Sequence, residues 1–229
     1  MGAQVNQHVE PAVLKAAPAG FYELRRGERL AYFATKRVTD LGVVLAVAPV
    51  AVPLVMICAG LLRLSGRKAF YSQRRLGKRG REFTMWKLQT MVPDADEVLV
   101  NYLSTNPDAK REWDENQKLA RDPRITPLGR YLRKYSIDEL PQLFNVFRGD
   151  MSIVGPRPMF PSQSAQYPSR AYFNVKPGLT GLWQIGIRNG CSFVQRGVLD
   201  TRYANTMSLS TDLSIMLRTL AVVIRGTGV

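Results

Sequence analysis

From Leu41 to Leu62 the chain carries no charged residue. At about 1.5 Å of rise per residue, a continuous helix of that length reaches across the hydrocarbon core of a bilayer. Two features argue against a simple span. Pro49 and Pro53 interrupt the run near its middle, where each removes a helical hydrogen bond. Both flanks are basic, with Lys36 and Arg37 before the run and Arg63, Arg67 and Lys68 after it. Positive flanks favour the cytoplasmic side, so a segment basic at both ends is expected to enter, bend and return. A buried core helix is the other reading of the same residues. Residues 1–35 are too polar for a signal peptide, and no small-residue cleavage site follows a short apolar core. They are expected to form a poorly ordered arm of a protein that is not exported.

The 229 residues suffice for one catalytic domain with its own core. A formal charge of +14 calls for anionic partners, whether nucleic acid, acidic lipid or phosphorylated substrate. Cys58 and Cys191 are the only cysteines and His8 is the only histidine, which argues against zinc chemistry and a histidine-based triad. Cys58 lies in the apolar run, where a small buried hydrophobe is expected. Between Arg63 and Lys87 stand nine Lys or Arg residues and one acid, Glu82, interleaved with Phe70, Tyr71, Phe83 and Trp86. The pattern fits a nucleic-acid patch and equally a segment lying against lipid headgroups. The alternation from Glu82 to Lys87 predicts a strand that carries Lys87 towards a site.

Residues 92–120 show helical spacing, with Val98, Leu99, Tyr102 and Leu103 on one face. Asn106-Pro107 ends that helix and Trp113 falls on a second. The insert is expected to be solvated. Arg124 and Arg130, which follow it, are candidate phosphate ligands.

The run from Arg130 to Pro158 reads RYLRKYSIDELPQLFNVFRGDMSIVGPRP and holds an adjacent acidic pair, Asp138-Glu139, among basic residues. Nearby positive charge is expected to keep both carboxylates ionised. Ser136 to Glu139 fits a capping box, and a helix starting at Asp138 would instead spare the cost of Pro141. Either register puts the acids at the positive end of a helix. Two roles stand: a structural pair at a helix start, or an Asp138 nucleophile towards phosphorus with a divalent cation shielding the phosphate. Leu140, Leu143, Phe144 and Phe147 mark one apolar helix face, and Asn145 lies off it. Residues 149–154 are expected to form a turn and a strand. In Gly155-Pro156-Arg157-Pro158 the prolines fix the backbone around Arg157, which lowers the entropy lost if the guanidinium grips a phosphate. Gly178 and Gly181 suit close backbone approach, while Trp183 is either a stacking face for a base or a core residue. From Asp200 to Arg225 the leucine and isoleucine spacing predicts a helix in a membrane interface or packed on the protein.

The blocks WKLQTM (86–91), SIDELPQLFNVFRGDMSIVGPRP (136–158) and KPGLTGLWQIGIRNG (176–190) together resemble the bacterial sugar transferase family. These are small monotopic phosphoglycosyl transferases, and the likeness covers residues 36 to 229. It implies an α-rich α/β fold: a re-entrant broken membrane helix, a small irregular catalytic domain and interfacial amphipathic helices. The segments would be an arm (1–35), the re-entrant helix (36–68), the catalytic domain (69–206) and a C-terminal interfacial helix (207–229). The resemblance implies transfer of a sugar 1-phosphate from a UDP-sugar to undecaprenyl phosphate at the cytoplasmic face of a bacterial inner membrane. Partners would be these substrates and membrane lipid, not nucleic acid, and a homodimer is compatible with the exposed apolar face. Asp138 and Glu139 would be catalytic, with magnesium at Asp138, and Lys87, Arg157 and Arg188 would bind phosphate. Arg124, Arg130, Trp183 and Gln184 fall in matching blocks. The helix break would lie at Pro53, where the family's serine is Val52 here, or at Pro49. The family's arginine in the lysine block is Gln89, and Gly186-Ile187 departs from its pattern before Arg188. PGLTGLWQ resembles members that start exopolysaccharide with galactose or glucose. Acetamido sugars, or a non-enzymatic basic membrane-attached protein that binds polyanions, are the alternatives.

Overall fold

The computed structural model describes residues 25–116, 119–167, 170–186 and 193–226. Helix α1 (Arg26–Leu64) passes through both prolines without a non-helical residue. The expected arm therefore gives way to helix at Arg26, and the expected break at Val52-Pro53 is not a gap in helical structure. Each proline withdraws one amide, and the turns on either side keep their own bonds, so the helix persists. Tyr32, Lys36, Asp40 and Val44, each four residues apart, form one buried stripe, and Cys58, Ala59 and Leu62 form another near the far end. Leu45, Val50, Val52, Met56 and Ile57 between them are exposed. A helix whose middle is apolar and outward-facing while both ends pack on protein is not an ordinary core helix.

The alternating segment forms a hairpin of β1 (Phe70–Leu76) and β2 (Glu82–Leu88), with Tyr71 opposite Lys87 and Arg75 opposite Phe83. The insert forms α2 (Ala95–Thr105) and α3 (Pro107–Asn116), divided at Asn106-Pro107 as predicted, and α2 buries no residue. Thr126 caps α4 (Pro127–Lys134) by accepting from the Gly129 amide at 2.9 Å. Helix α5 (Gln142–Arg148) follows, and Gly149 ends it in a left-handed conformation at φ 91°. A short parallel pair then joins β3 (Ser152–Val154) to β4 (Gly178–Thr180), and α6 (Leu182–Ile185) completes that turn. The C-terminal apolar stretch is two helices, α7 (Phe193–Asn205) and α8 (Leu209–Ile224). Ser208 divides them by capping α8 through the Thr211 amide at 3.1 Å.

Among the described residues, the two larger apolar clusters hold α1 to these pieces. Phe83, Met85, Val146, Met151, Ile153, Val154, Tyr203 and Ile215 surround the N-terminal half of α1 at Tyr32 and Val44. Cys58, Ala59 and Leu62 meet Leu88 and Leu132 at the other end. Burying side chains of this size contributes about 1.5–3 kcal/mol each. Polar contacts fix the register of α1. Asp40 accepts from the Ser152 hydroxyl at 3.0 Å and the Ile153 amide at 2.9 Å. Asp212 on α8 accepts from Lys36 at 2.7 Å, Tyr32 at 2.9 Å and Tyr203 at 2.7 Å. Removing one partner of such a buried pair leaves the other charge stranded. Asp212→Ala is therefore expected to destabilise the protein by about 3–5 kcal/mol, read as a lower denaturant midpoint in detergent micelles; an unchanged midpoint would contradict a buried network here.

Candidate active site

The acidic pair sits on neither of the helix starts expected from sequence. Ser136 is left-handed at φ 55° and its side chain caps nothing, while Ile137–Glu139 form a single 3-10 turn between α4 and α5. Pro141 explains this. It occupies the N-cap of α5, where its missing amide goes unused, and so the helix begins after the acids. The left-handed serine costs on the order of 1 kcal/mol.

Asp138 is 6% exposed. Burial raises its pKa, Lys87 and Arg133 pull it down and Glu139 adds to the rise, with a net upward shift. Loss of water thus outweighs the cations in setting the direction of the shift. Glu139 accepts from Lys87 Nζ at 2.5 Å. Lys87 shares a face of β2 with the buried Phe83 and Met85, since residues two apart point the same way. The predicted strand therefore does carry the lysine to the acids. Asn145, 1% exposed, fixes that strand to α5. Its Oδ1 accepts from the Trp86 amide at 3.2 Å and its Nδ2 donates to the Thr84 carbonyl at 2.7 Å.

A cleft opens beside the pair, lined by Arg75, Lys87, Glu139, Gln142, Arg157 and Gln184. Arg157 is held there by glycines. The Gly155 amide donates to Thr180 O at 2.8 Å and the Gly178 amide to Pro156 O at 2.7 Å. A Cβ at Gly178 would lie 2.1 Å from Gly155 N, and one at Gly181 would lie 2.2 Å from Gly155 O. The predicted close approach is what brings the Arg157 loop against β4. Trp183 is buried at 4% exposure. Arg157 and Arg196 stand over its ring at 4.8 and 4.9 Å, so it is a core residue that seats the arginines rather than a platform for a base.

The sequence profile described as bacterial sugar transferase matches residues 31–226. The exopolysaccharide production protein ExoY of Rhizobium meliloti is 45% identical over 179 residues, covering 77% of this chain and 79% of that protein. The UDP-galactose-lipid carrier transferase of Erwinia amylovora is 42% identical over 195 residues, covering 84% of this chain and 41% of the relative. The UDP-glucose:undecaprenyl-phosphate glucose-1-phosphate transferase of Caulobacter vibrioides is 39% identical over 203 residues, covering 84% and 70%. The chain belongs to the bacterial sugar transferase family. It spans under half the length of the Erwinia relative and most of the ExoY protein.

Within this family member the sequence-derived candidates divide. Asp138, Glu139, Lys87, Arg157 and Gln184 converge, whereas Arg188 lies outside the described residues. Arg124 is buried and its guanidinium grips Asp122 at 2.6–3.1 Å, so it is engaged in structure. Arg130 is exposed on α4 and does not line the cleft. Three residues went unread in the sequence: Arg75, Gln142 and Arg133. Arg133 donates to Thr90 Oγ1 at 2.9 Å and exerts its charge on Asp138. Helical phase on α4 and the strand alternation of β1 carry weak signals for them, which only the pairing with β2 resolves.

Among the described residues no cluster of three or more His, Cys, Asp or Glu could hold a metal. A carboxylate pair, one member of it already bonded to a lysine, suits a magnesium ion, which takes one or two carboxylates and otherwise phosphate and water. Because Lys87 is the chief influence holding the Asp138 pKa down, Lys87→Met is expected to move the acid limb of a pH–rate profile upward. Ionisation is lost as pH falls through the raised value, so an unmoved limb would uncouple the two residues.

Proposed function

We propose that this chain transfers a sugar 1-phosphate, galactose or glucose phosphate by preference, from a UDP-sugar to undecaprenyl phosphate as the first membrane step of exopolysaccharide synthesis. The carrying observation is a buried carboxylate, Asp138, beside a lysine–glutamate pair at an arginine-lined cleft. The donor names of the Erwinia and Caulobacter relatives, one galactose and one glucose, support the sugar class.

An Asp138 carboxylate oxygen attacks the β-phosphorus of the donor. The bond from that phosphorus to the bridging oxygen breaks, UMP leaves with the electron pair, and a sugar phosphate stays on the carboxylate. An oxygen of the lipid phosphate then attacks the same phosphorus and frees Asp138, with no net proton consumed. Partial desolvation strips a carboxylate of the water that would blunt its nucleophilicity. Lys87 and Arg157 hold phosphate oxygens, and Glu139 positions Lys87 through their bond. Magnesium bound at Asp138, with Glu139 beside it, would offset phosphate charge.

The bilayer placement follows the same reading. The outward apolar middle of α1, Phe144 and Phe147 on α5, and Leu209, Leu213, Leu217, Leu220 and Ile224 on α8 are exposed and form the membrane-facing surface. Helix α1 dips in and returns, bent at its prolines, with the domain on the cytoplasmic side. In a Cys58→Ser, Cys191→Ser background, cysteines at Arg26 and Lys68 are expected to be labelled only from the cytoplasm; labelling of either from the far side excludes the hairpin.

Release of UMP from a panel of UDP-sugars, with undecaprenyl phosphate in detergent, tests the activity. Galactose or glucose donors are expected to lead, and Asp138→Asn is expected to lose about three orders of magnitude or more in kcat. Intact mass after incubation with donor alone should show a sugar phosphate on the peptide bearing Asp138. Full turnover in Asp138→Asn would remove the nucleophile.

A further inference from the structure

Among the described residues three cations are buried, Lys36, Arg75 and Arg124, and one of them, beside the site, has no carboxylate ion pair. Arg124 has Asp122, Lys36 has Asp212 and Lys87 has Glu139. Arg75, 8% exposed, has none among the described residues. Its Nη1 donates to Pro158 O at 3.0 Å and its Nη2 to Gln73 Oε1 at 2.7 Å, both neutral acceptors. Its Nε is buried without a partner. The guanidinium carbon lies 3.4 Å from the centre of the Phe160 ring. Burial, and then the charge of Arg157, lower its pKa to about 10.

The placement is built rather than incidental. Arg75 faces Phe83 across the hairpin, which puts it on the same face as Met85 and Lys87. The end of β1 is tied to the segment after the Arg157 loop: the Leu76 amide donates to Met159 O at 3.0 Å, and Tyr172 hydroxyl donates to Leu76 O at 2.6 Å. Phe160 and the Pro158 carbonyl then hold the guanidinium plane. Arg75 and Arg157 line the cleft together, and the acid in its lining, Glu139, is already bonded to Lys87. Two guanidinium groups set side by side repel unless an anion lies between them, and the planar fork suits phosphate oxygens.

We propose that Arg75 is a phosphate-binding residue, forming with Arg157 a paired seat for a substrate phosphate. The proposal rests on the transferase reading above. The bond to Gln73, a partly exposed neutral side chain, is the one exchanged for a phosphate oxygen. The phosphate belongs either to the nucleotide donor or to the lipid acceptor, and kinetics separate these.

Arg75→Gln, Arg75→Lys and, as control, the exposed neighbour Arg74→Gln are compared with wild type in KM for each substrate, and in UDP binding by calorimetry. Arg75→Gln is expected to raise one KM at least tenfold. A rise for the UDP-sugar with weaker UDP binding assigns the donor phosphate, and a rise for undecaprenyl phosphate alone assigns the acceptor. Arg75→Lys, which keeps the charge and loses the fork, is expected to fall between wild type and Arg75→Gln, and it serves alone if the Gln variant does not fold. Folded Arg75 variants with both KM values and UDP affinity within twofold of wild type and Arg74→Gln overturn the proposal while leaving the transferase reading intact. Wild type that binds UDP through Arg75 yet releases no UMP has the opposite meaning: the seat stands and the transferase reading fails.

Discussion

A single amide side chain sets the geometry on which the site depends. Strand β2 is paired on one edge with β1, and its other edge offers the Trp86 amide and the Thr84 carbonyl. In a larger sheet a third strand would satisfy them. Here Asn145 does so from a helix, with its own carbonyl accepting from the amides of Gly149, Asp150 and Met151. An unpaired backbone group buried at this depth costs about as much as a lost hydrogen bond, so the helix cannot slide along the strand without exposing that cost twice. The turn bearing Asp138 and Glu139 immediately precedes this helix and Lys87 immediately follows Trp86. The contact between Lys87 and Glu139 is therefore positioned by a clamp that touches neither.

The same strand links the two apolar clusters. Phe83 and Met85 enter one and Leu88 enters the other, with Lys87 between them. Each cluster also takes one end of α1. Packing that seats α1 thus also fixes where Lys87 emerges. The electrostatics are arranged on the same plan. Cations at Arg124 and Lys36 are matched with carboxylates at Asp122 and Asp212, whereas Arg75 in the cleft has neutral acceptors. Leaving a buried cation without a carboxylate lowers stability, a cost that on the transferase reading a substrate phosphate offsets.

What could be read from sequence was what local pattern determines. The β2 alternation, the break at Asn106-Pro107, the turn at Gly149 and the glycine contacts of Gly178 and Gly181 all follow from period and turn chemistry, and all are present. The capping box at Ser136 was a sound local pattern overruled by Pro141, whose ring fits at the cap of α5 and not inside a helix. The start of α1 was obscured because its buried stripe contains Lys36 and Asp40, charged residues that read as solvated until Asp212 and Ser152 supply their partners. Arg75 was one of nine basic residues from Arg63 to Lys87. Its distinction comes from strand register and from a contact with Pro158 far along the chain, and neither is a property of nearby sequence. Asp138 was the most legible residue by likeness and the least legible in charge state, because its burial depends on the fold around it.

On the transferase reading, the outward face of α5 connects the chemistry to the membrane. Leu140, Leu143, Phe144 and Phe147 form the apolar helix face marked in the sequence, and Phe144 and Phe147 are 55% and 52% exposed, while Val146 and Asn145 turn inward. The helix that follows the acidic turn thus shows aromatic rings outward while holding β2 with its other side. On the transferase reading the acceptor is an amphiphile whose phosphate must reach Asp138 while its chain stays in lipid. A seven-residue helix is about 10 Å long at 1.5 Å per residue, so rings seated in the bilayer place the carboxylate within about one helix length of the headgroups. The acceptor then has little need to leave the membrane. On the same reading the cations of the cleft lie near that boundary, where low dielectric strengthens their attraction for a substrate phosphate.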